Sequence, residues 1–108
     1  MLDVIRRMYD AANRRDLSAI DEIFASDFRS HPMGTTGSEH VRTAWRQITA
    51  RYPDLRVEPI EMIVNGDRVA VWSKVHAGGG EPGTLMELIR VADGRVAELW
   101  GLSSRNWR

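Results

Sequence analysis

The chain has 108 residues, enough for one domain and too few for two, because a smaller piece would not bury a stable core. We therefore expect a single domain over residues 1–108. Hydrophobic residues make up 43% of the chain and charged residues 28%, which is ordinary for a globular protein and excludes a disordered one. The 15 basic and 15 acidic residues give a formal net charge of zero, so the positive surplus needed to bind nucleic acid or an anionic membrane is missing.

The chain contains no cysteine, which excludes disulfides, thiolate catalysis and cysteine-ligated zinc. The segment from Met1 to Arg7 is charged and has no continuous apolar stretch, so we do not expect a signal peptide. Nothing in the sequence approaches the roughly 20 apolar residues of a membrane helix. These features predict a soluble, cytoplasmic protein.

Three helices are predicted in the first half of the chain. Apolar residues at three- and four-residue spacing indicate the first helix, and they are Leu2, Ile5, Tyr9 and Ala12. Asp16 is a suitable cap for a second helix that runs through Phe24. Ser38 is expected to cap the third helix, which ends before Pro53.

Strands follow the helices. A short strand is expected over residues 28–31, before the turn-rich segment that begins at Pro32. From residue 55 the apolar period drops to two, which predicts four strands joined by turns, over residues 55–64, 68–76, 84–91 and 96–103. Pro59 lies where the apolar parity shifts, which suggests a bulge or an edge strand. Helices grouped ahead of a strand meander indicate the α+β class.

The motifs along the chain resemble those of SnoaL-like polyketide cyclases and of the wider ketosteroid-isomerase-like and nuclear transport factor 2-like superfamily. The opening from Asp16-Leu17 through Phe28 to His31-Pro32 is similar to the shared start of that superfamily. The later motifs that carry the resemblance are Tyr52-Pro53-Asp54-Leu55, Gly66-Asp67-Arg68-Val69-Ala70 and Asp93-Gly94-Arg95-Val96, followed by Glu98 and Trp100.

This resemblance implies a cone-shaped fold of cystatin-like topology, in which three amino-terminal helices pack on a strongly curved antiparallel sheet. It also implies an apolar pocket for a small organic ligand, no cofactor, and a homodimer formed through the sheet face away from the helices. The activities implied are isomerisation, aldol-type cyclisation or hydration. A non-catalytic ligand-binding or dimerisation module of the same fold is the alternative.

Two features depart from the family pattern. The cyclases and epoxide hydrolases that the chain resembles place an acidic residue on the last strand, just beyond the tryptophan. Here Trp100 is followed by Gly101, and no Asp or Glu occurs after Glu98, which favours the non-catalytic alternative. The glycine-rich turn over residues 77–83 is also short, which predicts a shallower or more open pocket.

His31 is the candidate general acid/base. By resemblance it stands where steroid isomerases of this fold carry an aspartate base and many SnoaL-like members carry histidine. Histidine exchanges protons near physiological pH, and an enolisable substrate needs such a base within hydrogen-bond reach. The alternative is a rim histidine bonded to nearby backbone. We expect His40 to be a surface residue and give His76 a small chance of a role, and their spacing predicts no metal site.

Aromatic residues and methionines supply the candidate pocket lining. We expect the pocket to be lined by Tyr9, Met33, Trp45 and Trp100, although core packing would explain them equally well. The two alternating rows of the strand over residues 68–76 leave open which row faces the helices. Glu87 and Glu98 are expected to be exposed, and Glu98 would be an alternative acid if it pointed inward. Trp107 in the tail is expected to be disordered or packed on a partner.

Overall fold

A computed structural model describes residues 1–105 and contains three helices on one face of a six-stranded sheet. The helices are α1 (Leu2–Arg14), α2 (Ile20–Ile23) and α3 (Ser38–Arg51), with a 3-10 turn at Leu17–Ala19. The strands are β1 (Phe24–Ser30), β2 (Thr35–Thr36), β3 (Arg56–Asn65), β4 (Arg68–His76), β5 (Gly83–Ala92) and β6 (Arg95–Ser103). The α+β prediction is confirmed, whereas the prediction for Trp107 lies outside the described residues. Within residues 1–105 no helix is long and apolar enough to cross a membrane.

The sheet is mixed, in the order β2-β1-β6-β5-β4-β3. The four long strands pair antiparallel, as expected, but β1 pairs parallel to β6. The prediction of a wholly antiparallel sheet is therefore wrong at this one pairing. A two-residue period fixes which side chains share a face and carries no information about the direction of the neighbouring strand.

The second helix is shorter than predicted. It ends at Ile23, and Phe24 already has the extended backbone of β1 (φ −100°, ψ 140°). Residues four apart share a face in a helix and in a strand alike, so the spacing of Phe24 and Phe28 does not distinguish the two. Their rings pack edge to face at 4.8 Å in the core. Likewise Gly37, not Ser38, precedes the first turn of α3, and Ser38 is buried there.

The long strands agree closely with the prediction. β4 has the expected bounds, and the register between β3 and β4 shifts between Pro59 and Glu61, which confirms the bulge. The β5–β6 turn consists of Asp93 and Gly94, both with positive φ (52° and 75°), as a two-residue type I′ hairpin requires.

The sheet has an inner face toward the helices and an outer face away from them. On β4 the inner row is Val69, Val71, Ser73 and Val75, which are all at most 1% exposed. The two valines at 69 and 71 pack in one core with Ile5 of α1 and Ile20 and Ile23 around α2. The row that contains Trp72, Lys74 and His76 therefore lies on the outer face, and this settles the question that the sequence leaves open.

Candidate functional site

A cavity of about 310 Å³ lies between the inner face of the sheet and the helices α1 and α3. Among the residues predicted to line a pocket, Tyr9, Met33 and Trp45 lie in its wall. Most of the remaining wall is apolar and includes Met8, Phe24, Phe28, Val41, Ile48 and Leu99. An enclosed wall of this kind suits a small, largely uncharged molecule with few polar groups.

Two titratable side chains line this cavity in the described part of the chain, and they contact each other. Tyr9 is on the inward face of α1 and is 5% exposed, while Glu87 is on the inner row of β5. The Tyr9 hydroxyl donates a hydrogen bond to Glu87 Oε1 at 2.8 Å. The cavity therefore holds one carboxyl group and one phenol, joined to each other and surrounded by apolar side chains.

Burial controls the proton affinity of both groups. It raises the pKa of Glu87 from 4.5 to about 7, against a smaller lowering by the hydrogen bond from Tyr9. Burial, together with the nearby Glu87 charge, raises the pKa of Tyr9 far above its ordinary value. Near neutral pH Glu87 is thus able to accept or release a proton, whereas Tyr9 stays protonated and acts as a hydrogen-bond donor.

Gly101 provides the space for Glu87. The two residues are directly opposite each other in the pairing of β5 with β6. A Cβ atom built at Gly101 would lie 3.4 Å from Glu87 Cγ and 3.6 Å from the Pro32 side chain, which is tight packing. The expectation that Glu87 is exposed is wrong, because its strand position points inward over a neighbour that has no side chain.

His31 and Trp100 do not line the cavity wall. Their neighbours Ser30 and Gly101 do, and successive residues of a strand point to opposite faces. The rings of His31 and Trp100 stack on the outer side at 4.7 Å, with 7° between their planes. The placement of Trp100 in the pocket is thereby corrected, and His31, the candidate acid/base, is on the opposite side of the sheet from Glu87.

His31 has a carboxylate partner, contrary to expectation. Its Nε2 lies 2.6 Å from Glu98 Oε2, and Arg90 donates to the other oxygen of Glu98 at 3.0 Å. The hydrogen bond with His31, and then the one with Arg90, lowers the pKa of Glu98, so this carboxylate stays charged. Glu98 is thus engaged in an outer-face network and is not an acid of the cavity.

The other candidates lie apart from the cavity. His40 is exposed on α3, and His76 pairs with Glu58 at 3.1 Å on the outer face. A larger groove of about 880 Å³ beside β1 is lined by charged side chains of both signs, including Asp27, Arg29 and Arg95. Over residues 1–105 no three His, Asp or Glu side chains are grouped so that they could hold a metal ion.

A family model for the SnoaL-like domain matches residues 5–99, which is most of the chain. The chain belongs to the SnoaL-like domain family. The resemblance read from the motifs is thereby confirmed. No curated protein is similar enough to the sequence to count as a match.

Solved structures similar to this SnoaL-like chain include two proposed polyketide cyclases. IdmH from Streptomyces antibioticus is 26% identical with a TM-score of 0.84, and the alignment covers 94% of this chain and 90% of IdmH. A protein from Sinorhizobium meliloti is 29% identical with a TM-score of 0.83, covering 93% and 94% of the two chains. A proposed ketosteroid isomerase from Kribbella flavida, 19% identical with a TM-score of 0.81 over 98% of this chain and 78% of its own, shares the fold.

Sequence reasoning missed Glu87 as a member of the site. Leu85, Glu87 and Ile89 form one row of β5, while Met86 and Leu88 belong to the other. Both rows are largely apolar, so alternation did not indicate which one faces the helices. The available signal was the unusual pair of a glutamate opposite a glycine, in a SnoaL-like chain that lacks the acid expected beyond Trp100.

Proposed function

We propose that this SnoaL-like protein is a cofactor-independent acid–base catalyst that acts on a small, largely apolar carbonyl compound, by isomerisation or by aldol-type cyclisation. Glu87 is the general acid/base and Tyr9 is the hydrogen-bond donor to the substrate oxygen. The observation that carries the proposal is the 2.8 Å contact between these two groups inside an otherwise apolar cavity.

The chemistry needs one proton carrier and one oxygen donor. The Glu87 carboxylate takes a proton from the carbon next to the carbonyl, and the electrons of the broken C–H bond form an enolate. The Tyr9 hydroxyl turns from Glu87 to the enolate oxygen and stabilises its charge in a site of low polarity. Glu87 then returns the proton to a different carbon, or the enolate carbon first attacks a second carbonyl of the same molecule and Glu87 protonates the resulting alkoxide.

The protonation equilibrium of Glu87 suits this role. A general base is most effective when its pKa lies close to the working pH, and burial raises the pKa of Glu87 to about 7. An exposed glutamate with an ordinary pKa would be a much weaker base toward an acidic carbon. The apolar wall that binds the substrate is therefore also what tunes the acid.

The position of Glu87 supports its assignment as the family acid in a new place. The resemblance implies an acidic residue beyond the last-strand tryptophan, where this chain has Gly101. Glu87 is the cross-strand partner of Gly101, and its Cγ lies within ordinary contact distance of a Cβ built there. A carboxyl group that arises from β5 can thus occupy the space that a side chain from β6 would fill. This removes the reason to favour a non-catalytic module.

Exchange of substrate hydrogens for deuterium tests the assignment without knowledge of the natural substrate. The probe is 2-tetralone, an enolisable ketone of two rings, and the signal is the loss of its C1 hydrogens in D₂O by proton NMR. We expect the protein to accelerate exchange and Glu87→Gln to reduce that acceleration about 10²–10⁴-fold, the usual range for general acid–base catalysis.

His31→Gln is the matched comparison, because His31 is the competing candidate base. With Glu87 as the base, this variant retains most of the exchange rate. Loss of rate in His31→Gln together with a normal rate in Glu87→Gln would return the role to His31. Binding of 2-tetralone with no acceleration by the unsubstituted protein would contradict an enzymatic function and favour a binding module.

We also propose that the protein forms a homodimer through the outer face. Two rows of paired residues cross this face, Ile63–Ala70–Leu88–Trp100 and Trp72–Met86–Leu102. Ile63 is 59% exposed, Met86 52% and Leu102 81%. A contiguous apolar surface of this kind is uncommon on a monomer and suits a self-complementary two-fold interface.

A further inference from the structure

Ser73 interrupts a row of valines on the inner face of β4. Its neighbours in that row are Val71 and Val75, and all three are at most 1% exposed. Ser73 Oγ has no hydrogen-bond partner among the residues that the structure describes. A buried hydroxyl without a partner is unfavourable, whereas a valine would continue the row. The fold gives no reason for a serine here.

The location of Ser73 relates it to the proposed site. In the pairing of β4 with β5, Val71 is opposite Glu87 and Ser73 is opposite Leu85, so Ser73 is diagonal to Glu87 on the same face. The Ser73 hydroxyl also lowers the pKa of Tyr9 against the larger effect of burial, so it lies near enough to the phenol oxygen to favour negative charge there.

We propose that Ser73 is a positioning residue for the Tyr9–Glu87 pair, and that its hydroxyl donates to the phenol oxygen while Tyr9 donates to Glu87 or to the substrate oxygen. This inference rests on the proposed function, since it names the residue that supports the donor of that site. The three groups then form a chain that runs from β4 through α1 to β5.

A chain of this kind strengthens its last hydrogen bond. A phenol that accepts a hydrogen bond at its oxygen becomes a better donor through its own proton, because successive hydrogen bonds polarise one another. Ser73 therefore helps Tyr9 to stabilise negative charge, both on the Glu87 carboxylate and on an enolate oxygen. Loss of the serine hydroxyl should leave both charges less stable.

The groups that face Glu87 can be named from each neighbouring element. Tyr9 faces it from α1, Val71 from β4 and Gly101 from β6. In the described chain no other titratable side chain lines the cavity. A change in the titration of Glu87 on substitution of Ser73 would consequently report on Tyr9 alone.

Carbon-13 NMR of the Glu87 carboxyl group in the unliganded protein gives the first measurement. In Ser73→Ala we expect the titration midpoint of Glu87 to rise above its unsubstituted value, because Tyr9 then stabilises the carboxylate less. Ser73→Thr, which keeps the hydroxyl, should restore the midpoint. Val69→Ala is the control, since it removes packing from the same buried row without removing a hydroxyl.

The exchange of 2-tetralone gives the second measurement. Ser73→Ala should lower kcat roughly two- to tenfold, the factor that one neutral hydrogen bond is worth, with little change in KM. The urea midpoint of unfolding should be unchanged or higher, because an unpaired hydroxyl has been removed. If Ser73→Ala does not fold, Ser73→Cys, which is similar in size and a weak donor, serves in its place.

The outcomes separate this inference from the proposed function. An unchanged Glu87 midpoint and an unchanged kcat in Ser73→Ala would overturn the role of Ser73. An equal shift in Val69→Ala would also overturn it, since packing alone would then explain the effect. If Glu87→Gln retains full exchange activity, the proposed function fails, while a midpoint shift in Ser73→Ala would still support the hydrogen-bond chain.

Discussion

The Glu87 carboxyl group lies among apolar side chains, and this position affects the stability of the fold as well as its chemistry. Its pKa is about 7 in the folded protein and 4.5 ordinarily, so between these values the folded chain keeps a proton that the unfolded chain has released. Folding therefore becomes less favourable as the pH rises from about 4.5 to about 7 and loses nothing more from this group above that.

Glu87→Gln tests this effect at the scale of one residue. Glutamine does not titrate, so the variant should become more stable relative to the unsubstituted protein as the pH rises from 4 to 8. One pH unit corresponds to roughly 1.4 kcal/mol, and the full difference is at most about 3 kcal/mol. Urea unfolding of both proteins at several pH values measures it. Parallel stability–pH curves would show that Glu87 titrates normally.

The residues of the site differ in how well the sequence predicts them. The inward position of Tyr9 follows from the helical spacing of α1, and Tyr9 lies in the cavity wall. His31 and Glu87 could not be assigned, because each depends on which way a strand residue points. Ser30 and Gly101 face inward, so their neighbours His31 and Trp100 face outward. A one-residue change in parity reverses such an assignment.

At the scale of the elements, the β5–β6 pairing allows the acid to be moved between strands. Glu87→Ala should abolish exchange of 2-tetralone, and adding Gly101→Asp in that background should restore at least roughly tenfold, because a carboxyl group from β6 then enters the same space. The removed Glu87 side chain is what a Cβ at Gly101 would have contacted.

The control for this relocation is Gly101→Asn in the Glu87→Ala background, which has the same shape and no acid. Equal rates for the Asp and Asn double variants would mean that the cavity acid is not the catalytic group. Recovery by aspartate alone would show that the site requires a carboxyl group in this space, irrespective of the strand that provides it.

A second link between elements joins the end of α1 to β3. Asn13 Nδ2 donates to the Val57 carbonyl and Asn13 Oδ1 accepts from the Val57 N–H, both at 2.8 Å. Asn13→Ala leaves both backbone groups without these bonds and should lower the free energy of unfolding by about 1–3 kcal/mol.

Arg14→Ala is the neighbouring control for Asn13. Arg14 makes an exposed ion pair with Asp10 at 3.2 Å, and such pairs contribute at most about 1 kcal/mol. Chemical denaturation of the two variants should therefore separate them clearly. A smaller effect for Asn13→Ala than for Arg14→Ala would mean that the amide bridge does not hold α1 against β3.

The prediction of elements succeeds where one signal has one meaning. Asn65-Gly66-Asp67 and Asp93-Gly94 fix two hairpins, and the strands around them lie within one residue of their predicted bounds. Phe24 and Phe28 fit either a helix or a strand, so the end of α2 was misplaced. The parallel pairing of β1 with β6 depends on contacts between distant parts of the chain that no local pattern contains.

At the scale of the whole molecule, the apolar outer face predicts assembly. Light scattering at tens of micromolar should give twice the chain mass of 12.3 kDa. Met86→Arg places a charge at the centre of one apolar row and should give the mass of a single chain. Glu81→Arg, on the exposed β4–β5 turn, should leave the dimer intact. A mass near 12.3 kDa for the unsubstituted protein would contradict the dimer.

The overall architecture was more predictable than the chemistry. The order of helices and strands indicates the α+β class, and the motifs identify the SnoaL-like family, which the family model confirms over residues 5–99. Many sequences satisfy these patterns with different polar groups in the cavity. The chemistry of this chain depends on Glu87, a single carboxyl group whose position relative to Gly101 and Tyr9 follows from strand register and helix packing.

The titration of Glu87 in the unliganded protein tests the central claim most directly. Carbon-13 labelling of glutamate, with Glu87→Gln to assign the signal, gives the midpoint without any knowledge of the substrate. We expect a midpoint near 7, which would establish a buried acid able to exchange its proton at neutral pH. A midpoint near the ordinary value of 4.5 would mean that water reaches the carboxylate freely, and it would contradict the acid–base site proposed for this cavity.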